Sequence, residues 1–217
     1  MIEVLPDFFG MTLDVRFPKP RPFSNERLNR LLTRLVDSEN GLALRSEQMR
    51  VRTTELGFDY EIKAFFLGAN AFLVSDAEKF FLSISGGRTQ TDAQLIIQTA
   101  KRFLWAGEVS DQDTVIFGAN THARAESHEK RDEFLQRFRI AEQIVGPGAV
   151  GYIRIPNSND DVRFSIEPSL GIPEALFLAW NTRFRGASWL DSEDELTGML
   201  ESTAAIFGIR FKPFVVP

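Results

Sequence analysis

The chain lacks cysteine altogether, and that one absence removes disulfide scaffolds, thiolate metal sites, iron–sulfur clusters and cysteine nucleophiles. Histidine is almost missing too. His122 and His128 are the only two in 217 residues, too little material for a His-rich metal centre. No apolar run approaches the roughly 18 residues of a membrane-spanning helix; the longest lie around Phe65–Leu67 and Leu176–Trp180. The opening segment has neither a basic n-region nor a long apolar stretch, so no secretory signal is expected. Walker loops, nucleophile elbows, His-Glu-x-x-His helices and EF-hand loops do not occur. These absences lead to the expectation of a cytoplasmic, non-enzymatic protein with no membrane segment, no metal, no cofactor and no catalytic residue to name.

What is present is ordinary in bulk. Hydrophobic residues at 43% and charged ones at 25% suit a folded domain rather than a disordered tail. The formal charge of −5 arises in the second half. Residues 1–108 balance 14 basic against 14 acidic side chains, whereas residues 109–217 set 11 against 16. Such a field does not steer the molecule to nucleic acid. Yet 19 of the 25 basic residues are Arg, the side chain suited to planar multidentate contacts. The 20 Phe residues call for a large core or a buried partner surface.

Two stretches about a hundred residues apart are alike. The segment Ser24–Leu35 aligns with Ser127–Phe138. Each begins with a Ser placed to cap a helix and has a Glu in the first turn. Each also sets a matching apolar trio on one helical face: Leu31, Leu32 and Leu35, or Phe134, Leu135 and Phe138. Strands are expected before the two helices, at Thr12–Phe17 and Val115–Ala125. In the first half more follow at Glu47–Thr54, Tyr60–Phe66, Ala71–Val74 and Phe80–Ser85. In the second they follow at Val150–Ile155, Val162–Ile166 and Ala175–Thr182. Each half closes with a helix, opened by the capping boxes Thr91-x-x-Gln94 and Ser192-x-x-Glu195, with Leu95 and Leu196 starting the apolar stripes.

The fold class read from this order is α+β: an internally duplicated strand–helix–(three or four strands)–helix module, with a mainly antiparallel sheet and helices on one face. Residues 1–110 make the first repeat and 111–217 the second, packed as one compact unit. The order resembles that of duplicated helix-grip architectures such as the TATA-binding-protein fold. That resemblance is of element order alone, and it implies no function.

Most motif matches have a plain structural explanation. Gly146-Pro-Gly148-Ala-Val-Gly151 satisfies G-x-G-x-x-G, but dinucleotide binding needs a strand before it and a helix after it. Here a helix is expected to end near Val145 and a strand to begin near Val150, so the run reads as a cap and turn. Ser127-x-x-Lys130 has the shape of a serine acyl-enzyme motif without its companion signatures, and N-capping explains it. His122 and His128, six apart, lack metal-ligand spacing. Asp191, Glu193, Asp194 and Glu195 occupy a helix first turn, where the dipole favours them, and Asp160 and Asp161 serve a turn.

The pattern that carries a functional reading is an arginine-bearing sheet face. With Val115, Phe117, Ala119, Thr121 and Ala123 turned to the core, Asn120, His122 and Arg124 share the other face, with Glu126 beyond them. Arg50 and Arg52, Glu61 and Lys63, and Arg163 and Glu167 alternate in the same way along their own strands. The binding candidates are therefore Arg50, Arg52, Lys63, Asn120, His122, Arg124, Arg163 and Glu167. Their expected role is to dock a protein partner or a second copy of the chain, assisted by the apolar tail Phe211–Pro217. The alternative is a small-ligand binder or enzyme, with an anionic group held by Arg124, Arg163 or Arg50 in a pocket between sheet and helices. Nucleic acid is disfavoured, because the net charge is acidic and no basic run is interleaved with aromatics.

Overall fold

Apolar and polar side chains alternate with a period of two through most of the chain, and that period makes strands. The structure is a computed structural model that describes residues 1–21, 24–53, 60–68, 70–87, 89–141, 146–154, 161–186, 189 and 193–212. Among the described residues, β1 (Ile2–Arg16) leads to α1 (Asn25–Val36), then to β2 (Met49–Thr53), β3 (Tyr60–Phe66), β4 (Ala71–Ser75) and β5 (Lys79–Gly87). After α2 (Gln90–Ala106) come β6 (Thr114–Ala125), α3 (His128–Gln136), β7 (Ala149–Arg154), β8 (Asp161–Pro168) and β9 (Ala175–Arg185). The chain then forms α4 (Glu193–Ile206) and β10 (Ile209–Phe211). All ten strands join one sheet of order β2-β3-β4-β5-β1-β6-β9-β8-β7. Strand β10 runs parallel to the first residues of β1; every other pairing is antiparallel. The fold is thus α+β with a mainly antiparallel sheet.

One set of alternate side chains is buried: Met11, Leu13 and Val15 of β1, Phe80 and Leu82 of β5, Phe117 of β6, Phe164 of β8 and Leu178 of β9. The helices pack on this side. From α2, Phe103 stacks on Phe80 with ring centroids 4.0 Å apart, and Phe207, just beyond α4, lies 5.1 Å from Phe164. The opposite set of side chains carries no helix in these contacts, and it forms the face described below.

Several local expectations need correcting. Strand β1 starts ten residues before Thr12, because Val4 to Gly10 pair with β6. The register shifts between Pro6 and Phe8, and such a bulge accommodates a proline that cannot donate to the ladder. Residues Ser46–Gln48 form a short 3-10 turn, not the start of β2. Helix α2 is capped by Thr89, not Thr91. The Thr89 Oγ1 accepts from the Asp92 N–H and the Asp92 carboxylate accepts from the Thr89 N–H, a reciprocal box with Asp in place of the Glu or Gln sought. Leu95 consequently points outward and Ile96 is buried. Helix α3 stops at Gln136, well short of Val145, where Arg137 to Arg139 close the end with i→i+3 bonds. Asp161 opens β8 rather than serving a turn. Asp160, Asp191 and Ser192 lie outside the described residues. The Ser24 and Ser127 caps form as expected, each accepting from the N–H three residues on.

Read outward from the antiparallel seam between β1 and β6, the sheet runs β1-β5-β4-β3-β2 on one side and β6-β9-β8-β7 on the other. The first side has one strand more. Antiparallel pairing therefore reverses the sense of β2 relative to β1 as compared with β7 relative to β6. By position and direction β8 corresponds to β4, whereas an offset of about a hundred residues pairs β8 with β3.

Candidate functional site

The open face is continuous from edge to edge. Across one rung, Arg50 lies beside Lys63, Lys63 beside Val74, Val74 beside Phe81, Phe81 beside Asp14, Asp14 beside Ile116 and Ile116 beside Arg183. A second rung holds Phe65, Phe72, Ser83, Thr12, Gly118, Asn181, Arg163 and Tyr152. The register puts all eight sequence candidates on this one face. It does not gather them into one site. Arg50 and Arg163 are seven strand steps apart, and at about 4.8 Å per step that is roughly 34 Å.

The middle of the face is an aromatic cluster around His122. Phe8 meets the imidazole edge-on at 5.6 Å, and the Phe177 ring lies tilted against it at 5.2 Å. The imidazole Nδ1 is 2.8 Å from the Ser169 hydroxyl oxygen, which also accepts from the Ile172 N–H at 3.0 Å. Both groups are used fully when Ser169 donates to Nδ1 and the ring proton sits on Nε2. With Ser169 only 7% exposed and committed on both sides, the pair is a clamp on the 169–172 turn rather than a nucleophile and its base. Arg124 is already neutralised: Glu174 takes one guanidinium nitrogen at 2.7 Å and Asp7 the other at 3.2 Å. Asn120 lies over Gly10, where an added Cβ would come within 3.0 Å of its amide oxygen, so it packs against the backbone of β1. These three residues organise the centre of the sheet.

Unneutralised charge lies toward the two edges. Lys63 pairs with Glu61 at 2.9 Å, and Arg154 with Asp161 at 2.7 Å. Arg50, Arg52, Arg163 and Arg183 make no ion pair among the described residues. Tyr152 is 73% exposed and Phe65 54%. Basic side chains outnumber acidic ones on this face although the chain as a whole is acidic.

A second feature escaped the sequence reading. The end of β1, the start of α1 and the end of α2 enclose an open cleft of about 380 Å³ lined by Arg21, Ser24, Arg27, Arg30 and Glu108. Arg21 is fixed there by the Asp113 carboxylate at 2.9 Å, the Gly107 carbonyl at 3.1 Å and the ring of Phe17 beneath it at 3.6 Å. Burial holds its pKa below the ordinary value against the pull of Asp113, and the neighbouring Arg27 lowers it further. The signal available in the sequence is Arg27, Arg30 and Arg34 at i, i+3 and i+7, one stripe along α1. The gap beneath, between Phe17, Leu31, Tyr60 and Phe80, has about 10 Å³, room for one water at most.

Among the described residues no cluster of three or more His, Asp or Glu is placed to hold a metal ion, and no helix is long and apolar enough to cross a membrane. Comparison with protein-family models, with curated proteins and with solved structures finds no match to this chain.

Proposed function

We propose that the protein is a non-enzymatic interaction module whose open sheet face docks a protein partner with an acidic contact surface. One observation carries this reading. In a chain of net charge −5, the face away from the helices bears Arg50 and Arg52 toward one edge and Arg163 and Arg183 toward the other, none with an ion pair among the described residues. Partly exposed Phe and Ile lie between them, with the exposed Tyr152 on the edge strand β7. Interfaces are enriched in aromatic residues and Arg, and charge complementarity brings partners together and fixes their register. The nine strands of the main path span roughly 38 Å, room for a standard interface of about 800 Å² per partner. The described start of the tail lies off this face: Phe211 packs against the core with its ring 6.3 Å from Trp180, and the Lys212 N–H donates to the Val4 carbonyl. Pro213 to Pro217 lie outside the described residues.

Composition alone supports a cytoplasmic setting for such a module. We propose further that the two halves derive from one strand–helix–strands–helix unit, with β1, β5 and β4 the counterparts of β6, β9 and β8. The shared outward order and the matching Ser24 and Ser127 caps support this.

The functional test begins with proteins captured on the native chain, each then purified and titrated against it. An authentic partner binds the native chain, loses at least tenfold in affinity to the double variant Arg163→Glu and Arg183→Glu, and protects β6, β8 and β9 from amide hydrogen exchange. Undiminished binding by the variant, or protection confined to the helices, refutes the assignment.

A further inference from the structure

We infer that the cleft between the start of α1 and the end of α2 is a binding site for a phosphate group carried by a small molecule, with Arg27 and Arg30 as its principal donors. The site is separate from the open sheet face, and its volume of about 380 Å³ suits a small ligand. The arginines are unequally occupied. Arg21 is held by Asp113, two backbone carbonyls and the Phe17 ring, so it adds fixed positive charge at one wall. Arg34 is spent on Glu108 at 3.1 Å and on the Trp105 carbonyl at 2.9 Å. Arg30 reaches the same Glu108 only at 3.8 Å and Glu26 at 3.4 Å. Arg27 has no ion pair among the described residues, and its guanidinium lies 5.8 Å from the Phe17 ring. A single wall carboxylate thus serves two arginines while a third goes without.

The cleft also receives the first turn of α1. Ser24 caps it by accepting from the Arg27 N–H, which leaves the earlier N–H groups of the turn without an intrahelical partner. Those groups and the helix dipole add to the positive field of the side chains. Guanidinium pairs match the oxygens of a phosphate better than the two oxygens of a carboxylate, because three or more acceptors can be served from different walls at once. Opposite stands Glu108, the one acidic lining residue among those described. Its position is unusual, since its φ of +52° puts a non-glycine residue in the left-handed region at the end of α2. The carboxylate is held beside Arg30 and Arg34, where it competes with an incoming anion.

The test is isothermal titration of the full chain with inorganic phosphate, pyrophosphate and ATP, accompanied by chemical-shift mapping of the amides of residues 24–30. Saturable binding of at least one probe is expected, with shifts centred on Ser24 to Arg27. Losing one charge-assisted contact in Arg27→Ala or Arg30→Ala should weaken it roughly 10- to 100-fold. Glu108→Gln should tighten it, a change of opposite sign that general damage to the fold does not produce. Arg163→Ala, on the open face, should leave it unchanged. Equal affinity for pyrophosphate and ATP identifies the phosphates as the recognised part, and a preference for ATP adds a contact to the nucleoside; both support the site. Absence of saturable binding by all three probes, equal weakening in Arg163→Ala, or no gain in Glu108→Gln overturns it.

Discussion

Gly107 provides a severe test of how this fold is packed, because local propensity and tertiary contact predict opposite signs. The residue closes α2 with φ −75° and ψ −1°, an ordinary right-handed conformation that alanine adopts freely. On propensity alone, Gly107→Ala gains about 1 kcal/mol. An added Cβ, however, meets the ring of Phe80, with Cγ at 3.3 Å and two further ring atoms closer than 3.0 Å, distances that real side chains do not sustain. Phe80 has nowhere to go. It is 1% exposed and stacked on Phe103 with the ring planes 7° apart. Overpacking of a core that cannot give costs about 1–3 kcal/mol, and two clashing ring atoms place this case at the upper end. The net expectation is a loss of about 2 kcal/mol, or a drop in Tm of about 4–8 °C for a chain of this length.

Gly198 supplies the control. It lies inside α4 with nothing within 4 Å of a built Cβ, so Gly198→Ala should gain about 1 kcal/mol. Urea unfolding of both variants, with unchanged m values, measures the two effects on one scale. A double variant with Phe80→Leu should show a smaller increment for Gly107→Ala than the native background does, since the two residues touch. If Gly107→Ala proves as stable as the native protein, the stacking of α2 on β5 described above is wrong.

Other outcomes follow from particular contacts. Asp113, 1% exposed, accepts from Arg21 at 2.9 Å and from the Ser110 N–H and hydroxyl at 2.8 and 3.0 Å. Asp113→Ala strands these donors and should cost about 3–5 kcal/mol in chemical unfolding, with Asp113→Asn costing less. Glu108→Gly relieves the left-handed strain that Glu108→Ala retains, so the glycine variant should melt higher than the alanine variant by the equivalent of about 1 kcal/mol. The N–H groups of Asn40 and Glu39 hold the Asp37 carboxyl below its ordinary value of 3.8. Its contribution to stability is complete above that value and disappears as the pH falls through the lower folded one. The deficit of Asp37→Ala in urea unfolding at neutral pH should therefore shrink in acid, and a deficit that persists at low pH would contradict the assignment.

The limits of what could be read in advance are physical. Period-two alternation located β3 to β9 nearly residue for residue, because a strand with one buried face writes its environment into every second side chain. Strand β1 was underestimated. Its first residues, with Pro6 among them, alternate poorly, and their strand state depends on pairing with β6 and β10, elements more than a hundred residues away. The Thr89 cap was missed since Asp92 can close the box as Glu or Gln does, one reach shorter. That Arg124 meets two carboxylates is not legible in the sequence, because Asp7 and Glu174 lie far from it along the chain. The arginine stripe of α1 was visible, but the facing Glu108 and Arg21 come from separate elements.

The order of strands and helices, the inward and outward sides of most strands, two of the helix caps and the absence of thiol chemistry were written in the chain itself, since all rest on neighbours within a few residues. The tertiary structure alone decided that β1 and β6 meet as the seam of one sheet. It also decided which arginines find carboxylates, and that Arg21, Arg27 and Arg30 line a cleft together with Glu108. Local periodicity records which side of an element is buried. It carries no information about which distant element does the burying, and charge neutralisation depends on that identity.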